Sequence, residues 1–299
     1  MDILSEFWAT YGSVVQFALI NMLLGISIYF TLYTGLLSLA NAGFMAIGAY
    51  VSAVLTINTG TPFVVSLLIG ALVAAFTGLL LGLPVLRLRD IYLAIATLGF
   101  GELVRIIAIN FDNFTGLTLL GGAQGLDRVP KLTTPGALII ALLLLIILLI
   151  QLHRSRTGRA LAAIRRDENV AATLGINVFR YKVLAFVLGA FVAGLAGGFS
   201  AHLTRFVGPT SFGFDAAVNI LAYAVLGGTL HWSGPLVGAT ILTILPEALR
   251  FLHEYRGVVN GVILVVVILY LPRGLVNPAW FRRVFGRLRQ RRLKSTEAA

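Results

Sequence analysis

The stretch HRSRTGRALAAIRRDENVAATLGINVFRYK, residues 153–182, separates two long apolar runs and decides the fold. An arginine or aspartate at the centre of a membrane helix costs about 2.5–3.5 kcal/mol. This segment is therefore predicted to be an aqueous loop, with separate membrane spans on its two sides. It holds seven of the chain's 23 lysines and arginines, and two acids: Arg154, Arg156, Arg159, Arg165, Arg166, Arg180 and Lys182, with Asp167 and Glu168.

The composition outside this segment is that of a membrane protein. Of 299 residues, 58% are hydrophobic and 12% are charged, against about 25% charged residues in soluble domains. The net charge of +11 suits a nucleic-acid-binding protein, but the basic residues lie in a few connections and the C-terminal tail, as the positive-inside rule describes. We therefore predict a polytopic membrane protein that contacts lipid and binds no nucleic acid.

Metal and thiol chemistry find no support in the sequence. The chain has no cysteine, which excludes disulfides and thiolate sites and fits a bacterial membrane protein. His202, His231 and His253 are not spaced as metal ligands. No catalytic residue, metal site or cofactor is predicted.

Windows of about 20 apolar residues predict an all-α bundle of about nine membrane segments. Two of them, 216–230 and 235–250, are short and are broken by LGGTLHWSGP. They are either two spans or a re-entrant pair that enters from outside. The predicted segments are 14–33, 36–57, 62–83, 91–109, 135–152, 183–203, 216–230, 235–250 and 257–272.

The positions of the basic residues predict the orientation. Arg87, Arg89, the seven basic residues of 153–182 and the eight from Arg273 to Lys294 all fall on one side. The positive-inside rule makes that side cytoplasmic, with the N-terminus outside. We expect a transmembrane domain at 1–275, with 153–182 as a cytoplasmic loop, and a basic cytoplasmic tail at 276–299.

Capping signals predict two short helices within the loop. Thr157 is the predicted N-cap of the first helix, and Asp167 that of the second. Gly175 is the predicted left-handed stop, and Asn177 caps the next span. Ala162, Ala163, Ala171 and Ala172 would then allow another protein to approach closely. An ordinary charged loop explains the charge equally well, but not the capped, alanine-rich order.

Five motifs follow one another along the chain: GLLSLANAGFMAIGAY (35–50), LPVLRLRDIYLAIATLGFGELVR (83–105), RTGRALAAIRRDENVAATLGINVFRYKVLAF (156–186), VLGGTLHWSGPLVGA (225–239) and LPRGL (271–275). In this order they resemble the permease subunits of branched-chain amino acid ABC importers, specifically their LivM-type half. Coverage is about residues 15–275, and the sequence departs from the family pattern at ANAG, residues 40–43.

This resemblance implies a pore-forming subunit of a bacterial inner membrane. Its expected partners are a second, LivH-like permease, two cytosolic ABC ATPases and an external, periplasmic binding protein. The chain has no G-x-x-x-x-G-K-[ST] phosphate loop, so it is not expected to be an enzyme. The resemblance places the ATPase-coupling loop at Gly158, Arg159, Ala162, Arg165, Arg166, Asp167, Glu168, Ala171, Ala172, Leu174 and Gly175.

Polar residues within the spans are candidates for the translocation path: Asn41, Thr97, Glu102 and Arg105. Glu102 and Arg105 share a helix face at i, i+3 spacing, which also suits a structural ion pair. Asn41 is equally suited to bonding a neighbouring helix. Branched-chain or other hydrophobic amino acids are the expected substrates, with urea or short amides as alternatives. An ion-coupled secondary transporter is the second reading and an intramembrane enzyme the third.

Glycines within the spans are predicted to pack helices rather than to bind ligands. Gly78 with Gly82, and Gly234 with Gly238, form G-x-x-x-G pairs that allow close approach. The same interpretation applies to Gly99 and Gly101, which resemble the start of a dinucleotide motif but lack its third glycine.

Overall fold

The computed structural model describes residues 3–88, 90–116, 119–248 and 275. These residues form α-helices, with short 3₁₀ turns at Gly122–Gln124 and Pro209–Phe212 and an isolated β-bridge between Leu126 and Val207. The all-α prediction is confirmed for this part of the chain. The helices are α1 (Ile3–Tyr33), α2 (Asn41–Thr59), α3 (Phe63–Val85), α4 (Asp90–Thr115), α5 (Pro135–Arg154), α6 (Arg156–Arg166), α7 (Glu168–Thr173), α8 (Val178–Thr204), α9 (Phe214–Gly227) and α10 (Ser233–Ala248).

Among the described residues, six helices are long and apolar enough to cross a membrane: α1, α2, α3, α4, α5 and α8. The segments predicted at 216–230 and 235–250 form α9 and α10, of 14 and 16 residues. At 1.5 Å per residue these are about 21 and 24 Å long, short of a hydrocarbon core of about 30 Å. The predicted segment 257–272 and the tail 276–299 lie outside the described residues.

Helix α8 lies at the centre, packed against α1, α2 and α3. Glycines bring the backbones into contact: a Cβ at Gly197 would lie 2.0 Å from the Met45 carbonyl oxygen of α2, and one at Gly48 would lie 2.2 Å from that of Gly194. Closely packed small residues are typical of membrane helix interfaces. The core is therefore built on backbone proximity as well as large side chains.

The glycine predictions are mostly confirmed. A Cβ at Gly78 would lie 2.6 Å from the Cβ of Ala190, and one at Gly238 would lie 2.0 Å from the backbone carbonyl oxygen of Tyr223. Gly101 packs on Gly43, whose Cβ would lie 3.1 Å from the Gly101 Cα. At Gly99 a Cβ would meet no described heavy atom within 4 Å, so the packing prediction is wrong there.

Large apolar side chains cover the outer faces of α3, α4 and α5. Phe76 is 60% exposed, Ile95 62% and Leu144 62%. Contiguous apolar surface on this scale is unusual for a protein surrounded by water. These faces suit contact with lipid or with other membrane helices.

The bundle has two chemically different ends. The basic end carries α6 and α7. At the far end, the segment 119–134 packs onto the last turns of α8, because Thr133 donates to the Phe199 carbonyl (2.8 Å) and Leu126 bridges Val207. His202 joins this contact through its Nδ1, 3.0 Å from the Pro130 oxygen.

Candidate functional site

Local hydrogen bonds fix both helices of the basic end. Asp167 begins α7, since its Oδ1 accepts from the amides of Asn169 (2.8 Å) and Val170 (3.1 Å). Gly175 ends this segment with a φ of +78°, and Asn177 caps α8 by accepting from the Arg180 amide. These three predictions are confirmed. The N-cap of α6, however, is Ser155, which accepts from the Gly158 amide at 3.2 Å, so the prediction of Thr157 is wrong.

Part of the helix pair is buried against its own chain. Leu161 and Ile164 are 1% and 3% exposed, and α6 contacts α1, α5 and α8. A Cβ at Gly158 would lie 2.1 Å from the Leu152 oxygen, so the α5–α6 corner requires glycine. Ala171 is also buried, and it is not part of the accessible alanine surface that the sequence predicted.

Helix α7 exposes apolar side chains, and the preceding helix α6 exposes basic ones. Val170 is 54% exposed and Leu174 73%, and i, i+4 spacing places them on the same side. Ala172, Arg159 and Arg166 are exposed as well. Val170 and Leu174, with these three, form what we call the α7 patch. The sequence prediction omitted Val170, although its spacing from Leu174 is readable.

An ion pair holds α7 to the start of α8. Lys182 Nζ contacts Glu168 Oε2. Beside it, a cavity of about 280 Å³ separates α7 from residues 86–88, and Arg87 and Asn169 are among its lining residues. Together with the contacts of α6 to α7 and α8, the pair makes α6, α7 and the start of α8 one connected unit.

Arg165 points back into the protein. Its Nη1 donates to the Thr229 carbonyl oxygen (2.6 Å) and its Nη2 to Thr229 Oγ1 (2.9 Å). The guanidinium also lies over the Tyr33 ring, 5.8 Å from its centroid. Arg165 therefore ties α6 to the turn between α9 and α10, residues 228–232, a partner that sequence reasoning did not find.

Aromatic and histidine side chains surround this contact. Tyr29 hydroxyl and His153 Nε2 are 2.9 Å apart, and the His153 ring lies 4.8 Å from that of Tyr33. Burial lowers the pKa of His231, and nearby His153 lowers it further. The cluster joins α1, α5 and the α9–α10 turn at the basic end.

Asn41 and Thr97 both stabilise the start of α2. Asn41 is buried and donates to Ser27 Oγ (2.9 Å), while Thr97 Oγ1 accepts from the Leu39 amide (2.9 Å). Residues 34–40, predicted partly as helix, are irregular, and α2 begins only at Asn41. Non-helical backbone at this depth needs such partners, because no water satisfies its amides.

Glu102 and Arg105 form the predicted pair and hold a further helix. Arg105 Nε lies 2.8 Å from Glu102 Oε2, with both side chains about one-third exposed. Glu102 Oε1 accepts from the Phe214 amide at 3.1 Å. Gly213, the N-cap of α9, supplies no side chain, so the carboxylate caps α9 from α4 and suits its dipole.

A second cavity, of about 410 Å³, lies between α2 and α4. Its lining residues are aliphatic or aromatic, among them Val51, Val54, Val104 and Ile107. Tyr50 also lines it, and the Tyr50 hydroxyl is buried with no hydrogen-bond partner among the described residues. This space suits an aliphatic group, and its lining residues carry no charge that would pair with a zwitterion. Among the described residues no group of acids and histidines could hold a metal ion.

Known proteins similar to this chain are transport subunits. LivM of Salmonella typhimurium, a high-affinity branched-chain amino acid transport permease, is 35% identical over 307 residues, covering 90% of this chain and 71% of LivM. LivM of Escherichia coli K12 is 36% identical, covering 86% and 66%. LivH of Salmonella typhimurium is 33% identical over 169 residues, covering 55% and 54%. No solved structure matches.

Residues 10–268 match the family described as "Branched-chain amino acid transport system / permease component". The match includes α2 to α10 and most of α1, and so contains both the capped helix pair and the Glu102–Arg105 pair. The chain therefore belongs to the permease-component family of branched-chain amino acid transport systems.

Proposed function

We propose that this chain is one permease subunit of a binding-protein-dependent ABC importer. With a second, LivH-like permease it forms the path for branched-chain or other hydrophobic amino acids. Two cytosolic ATPases drive transport, and an external binding protein delivers the substrate. The protein is a multi-pass component of a bacterial inner membrane.

The α7 patch carries this proposal. Exposed Val170 and Leu174 gain little by facing water, and the caps at Asp167 and Gly175 hold them in a fixed geometry. Apolar anchors inside a charged rim are typical of protein interfaces. The exposed arginines Arg159 and Arg166 lie on the neighbouring helix α6, so this end of the protein suits a cytosolic protein such as an ATPase.

The basic end is proposed to be cytoplasmic, with the N-terminus outside. Thr229 contacts Arg165, so the α9–α10 turn reaches the same end as the basic loop. The Leu275 amide donates to the Leu226 oxygen at 3.0 Å, which places residue 275 close to that end as well. Although α9 and α10 have only 14 and 16 residues, these contacts favour two short crossings that meet at the basic end over a re-entrant pair from outside.

The translocation path is proposed to run beside Glu102 and Arg105, the partly exposed charged pair of α4. Asn41 and Thr97 are buried and satisfied within the chain, so they shape this path by holding residues 36–40 in place. Substrate contact then falls mainly to apolar surface.

Copurification tests the function. The tagged chain, expressed with its importer partners, is expected to retain the ATPases in detergent. Leu174→Asp, which places a charge in the α7 patch, should lower ATPase recovery about tenfold, as loss of an interface anchor does. Gln124→Asp at the far end is the control with the same added charge. Unchanged ATPase recovery with well-inserted Leu174→Asp contradicts the proposal.

A further inference from the structure

Helix α9 is held at both of its ends by charged side chains from other helices. At the basic end, Arg165 of α6 makes two bonds to Thr229, just after α9. At the other end, Glu102 of α4 accepts from the first amide of α9, at Phe214. Hydrogen bonds to charged groups are stronger than neutral ones, so both attachments are specific and directional.

Between these attachments α9 and α10 pack backbone against backbone. A Cβ at Gly227 would lie 1.8 Å from the carbonyl oxygen of Gly234, and one at Gly238 would lie 2.0 Å from the backbone carbonyl oxygen of Tyr223. Backbones this close cannot slide past each other without losing their packing. A displacement applied at Thr229 therefore reaches Phe214, about 21 Å away along the helix.

The two attachment points differ in what surrounds them. Arg165 belongs to the unit of α6, α7 and the start of α8, which bears the α7 patch. Glu102 bonds Arg105, and this charged pair is about one-third exposed at the opposite end of α9. A shift of α9 changes the distance from Glu102 to the Phe214 amide, and it can thereby displace Glu102 relative to Arg105.

We propose that α9 is the connecting element through which movement of α6 and α7 reaches the Glu102–Arg105 pair. Arg165 and Glu102 are its positioning residues. Arg165 acts through Thr229, and Glu102 acts through the α9 N-terminus. This inference rests on the proposed function, since it assigns how ATPase movement at the α7 patch alters the permease interior.

The test uses the complete importer in liposomes, with leucine uptake per ATP hydrolysed as the measurement. Arg165→Ala and Glu102→Ala are each expected to lower this ratio about tenfold, as loss of a charged hydrogen bond implies, while the ATPases remain bound. The double variant should fall no further than the lower single variant, because both changes break the same connection. Arg165→Lys and Glu102→Gln, which keep a donor and an acceptor, should restore about half of the ratio.

Two control variants remove exposed charges elsewhere. Arg180→Ala matches the positive charge of Arg165, Asp127→Ala matches the negative charge of Glu102, and both should leave the ratio unchanged. Independent, multiplying losses in the double variant would overturn the connection, as would an unchanged ratio in the single variants. If the alanine variants fail to insert, Thr229→Ala tests the same connection. It removes one of the two bonds to Arg165, so a loss of about twofold in uptake per ATP supports the proposal. An unchanged ratio in Thr229→Ala overturns it. Failure of the proposed function would give a different result, because the unmutated chain would then copurify with no ATPase.

Discussion

Gly175 shows how one residue sets the orientation of the α7 patch. Its φ of +78° is left-handed, and a Cβ there would meet no described atom within 4 Å. Gly175→Val therefore acts through backbone strain alone, at a cost of about 1–2 kcal/mol. We expect the permease to insert normally but binding-protein-stimulated ATP turnover to fall. Gly136→Val, at an uncrowded glycine without positive φ, is the control; equal turnover in both variants would refute this role.

At the residue scale, the sequence predicts those features, such as helix caps, that depend only on residues nearby in the chain. The caps at Asp167 and Asn177 bond amides two or three positions away, and their residue types indicate them. The direction of Arg165 depends on Thr229, 64 residues later, and no local pattern contains that information. The capped helix pair α6 and α7 could thus be predicted as a segment, whereas the inward turn of Arg165 could not.

At the scale of elements, hydropathy predicts spans but not where their helices begin. The predicted span 36–57 is mostly apolar, and it begins with Leu36 and Leu37, yet α2 begins at Asn41. An apolar irregular segment and an apolar helix have the same composition, so the bond from the Leu39 amide to Thr97 decides between them. That bond joins residues 58 apart.

Thr97→Val tests the importance of this bond for the start of α2. The side chain is fully buried, and valine matches its shape while leaving the Leu39 amide without a partner. We expect a loss of about 1–3 kcal/mol, the cost of an unsatisfied buried donor. Thermal unfolding in detergent measures it, and Thr97→Ser should retain most of the stability. Valine and serine variants that unfold alike would show that the bond is dispensable.

Close backbone contact between α2 and α8 gives a second prediction for elements. Gly197→Ala places a Cβ 2.0 Å from the Met45 oxygen, and the backbones must separate. Overpacking of this kind costs about 1–3 kcal/mol. Gly99→Ala, within α4 and without close neighbours, should match or exceed the parent stability, because alanine favours helix. A Gly197→Ala melting temperature equal to that of Gly99→Ala would contradict the packing account.

For the whole molecule, orientation follows from charge, and the absence of cysteine makes it measurable. Gln124 at the far end and Asn169 at the basic end are both exposed. Single cysteines at these positions should react with an impermeant thiol reagent from outside at 124, and only after permeabilisation at 169. Labelling of residue 169 in intact cells would reverse the proposed topology.

The chemistry of the interior, as far as the structure describes it, predicts weak substrate binding by the permease itself. The cavity between α2 and α4 suits an aliphatic side chain, but its lining carries no charge for an ammonium or carboxylate group. Asn41 and Thr97 already bond within the chain, and using Thr97 for substrate would leave the Leu39 amide without this partner. Glu102 is engaged by Arg105 and Phe214.

We therefore expect the detergent-solubilised permease, without its binding protein, to show no saturable leucine binding tighter than about millimolar, roughly 4 kcal/mol. Equilibrium dialysis with labelled leucine measures this, and the binding protein alone is the positive control. Weak affinity suits a conduit, since a substrate held tightly at its centre would leave slowly. A micromolar site on this chain would instead indicate ion-coupled secondary transport, in which the permease itself selects its substrate.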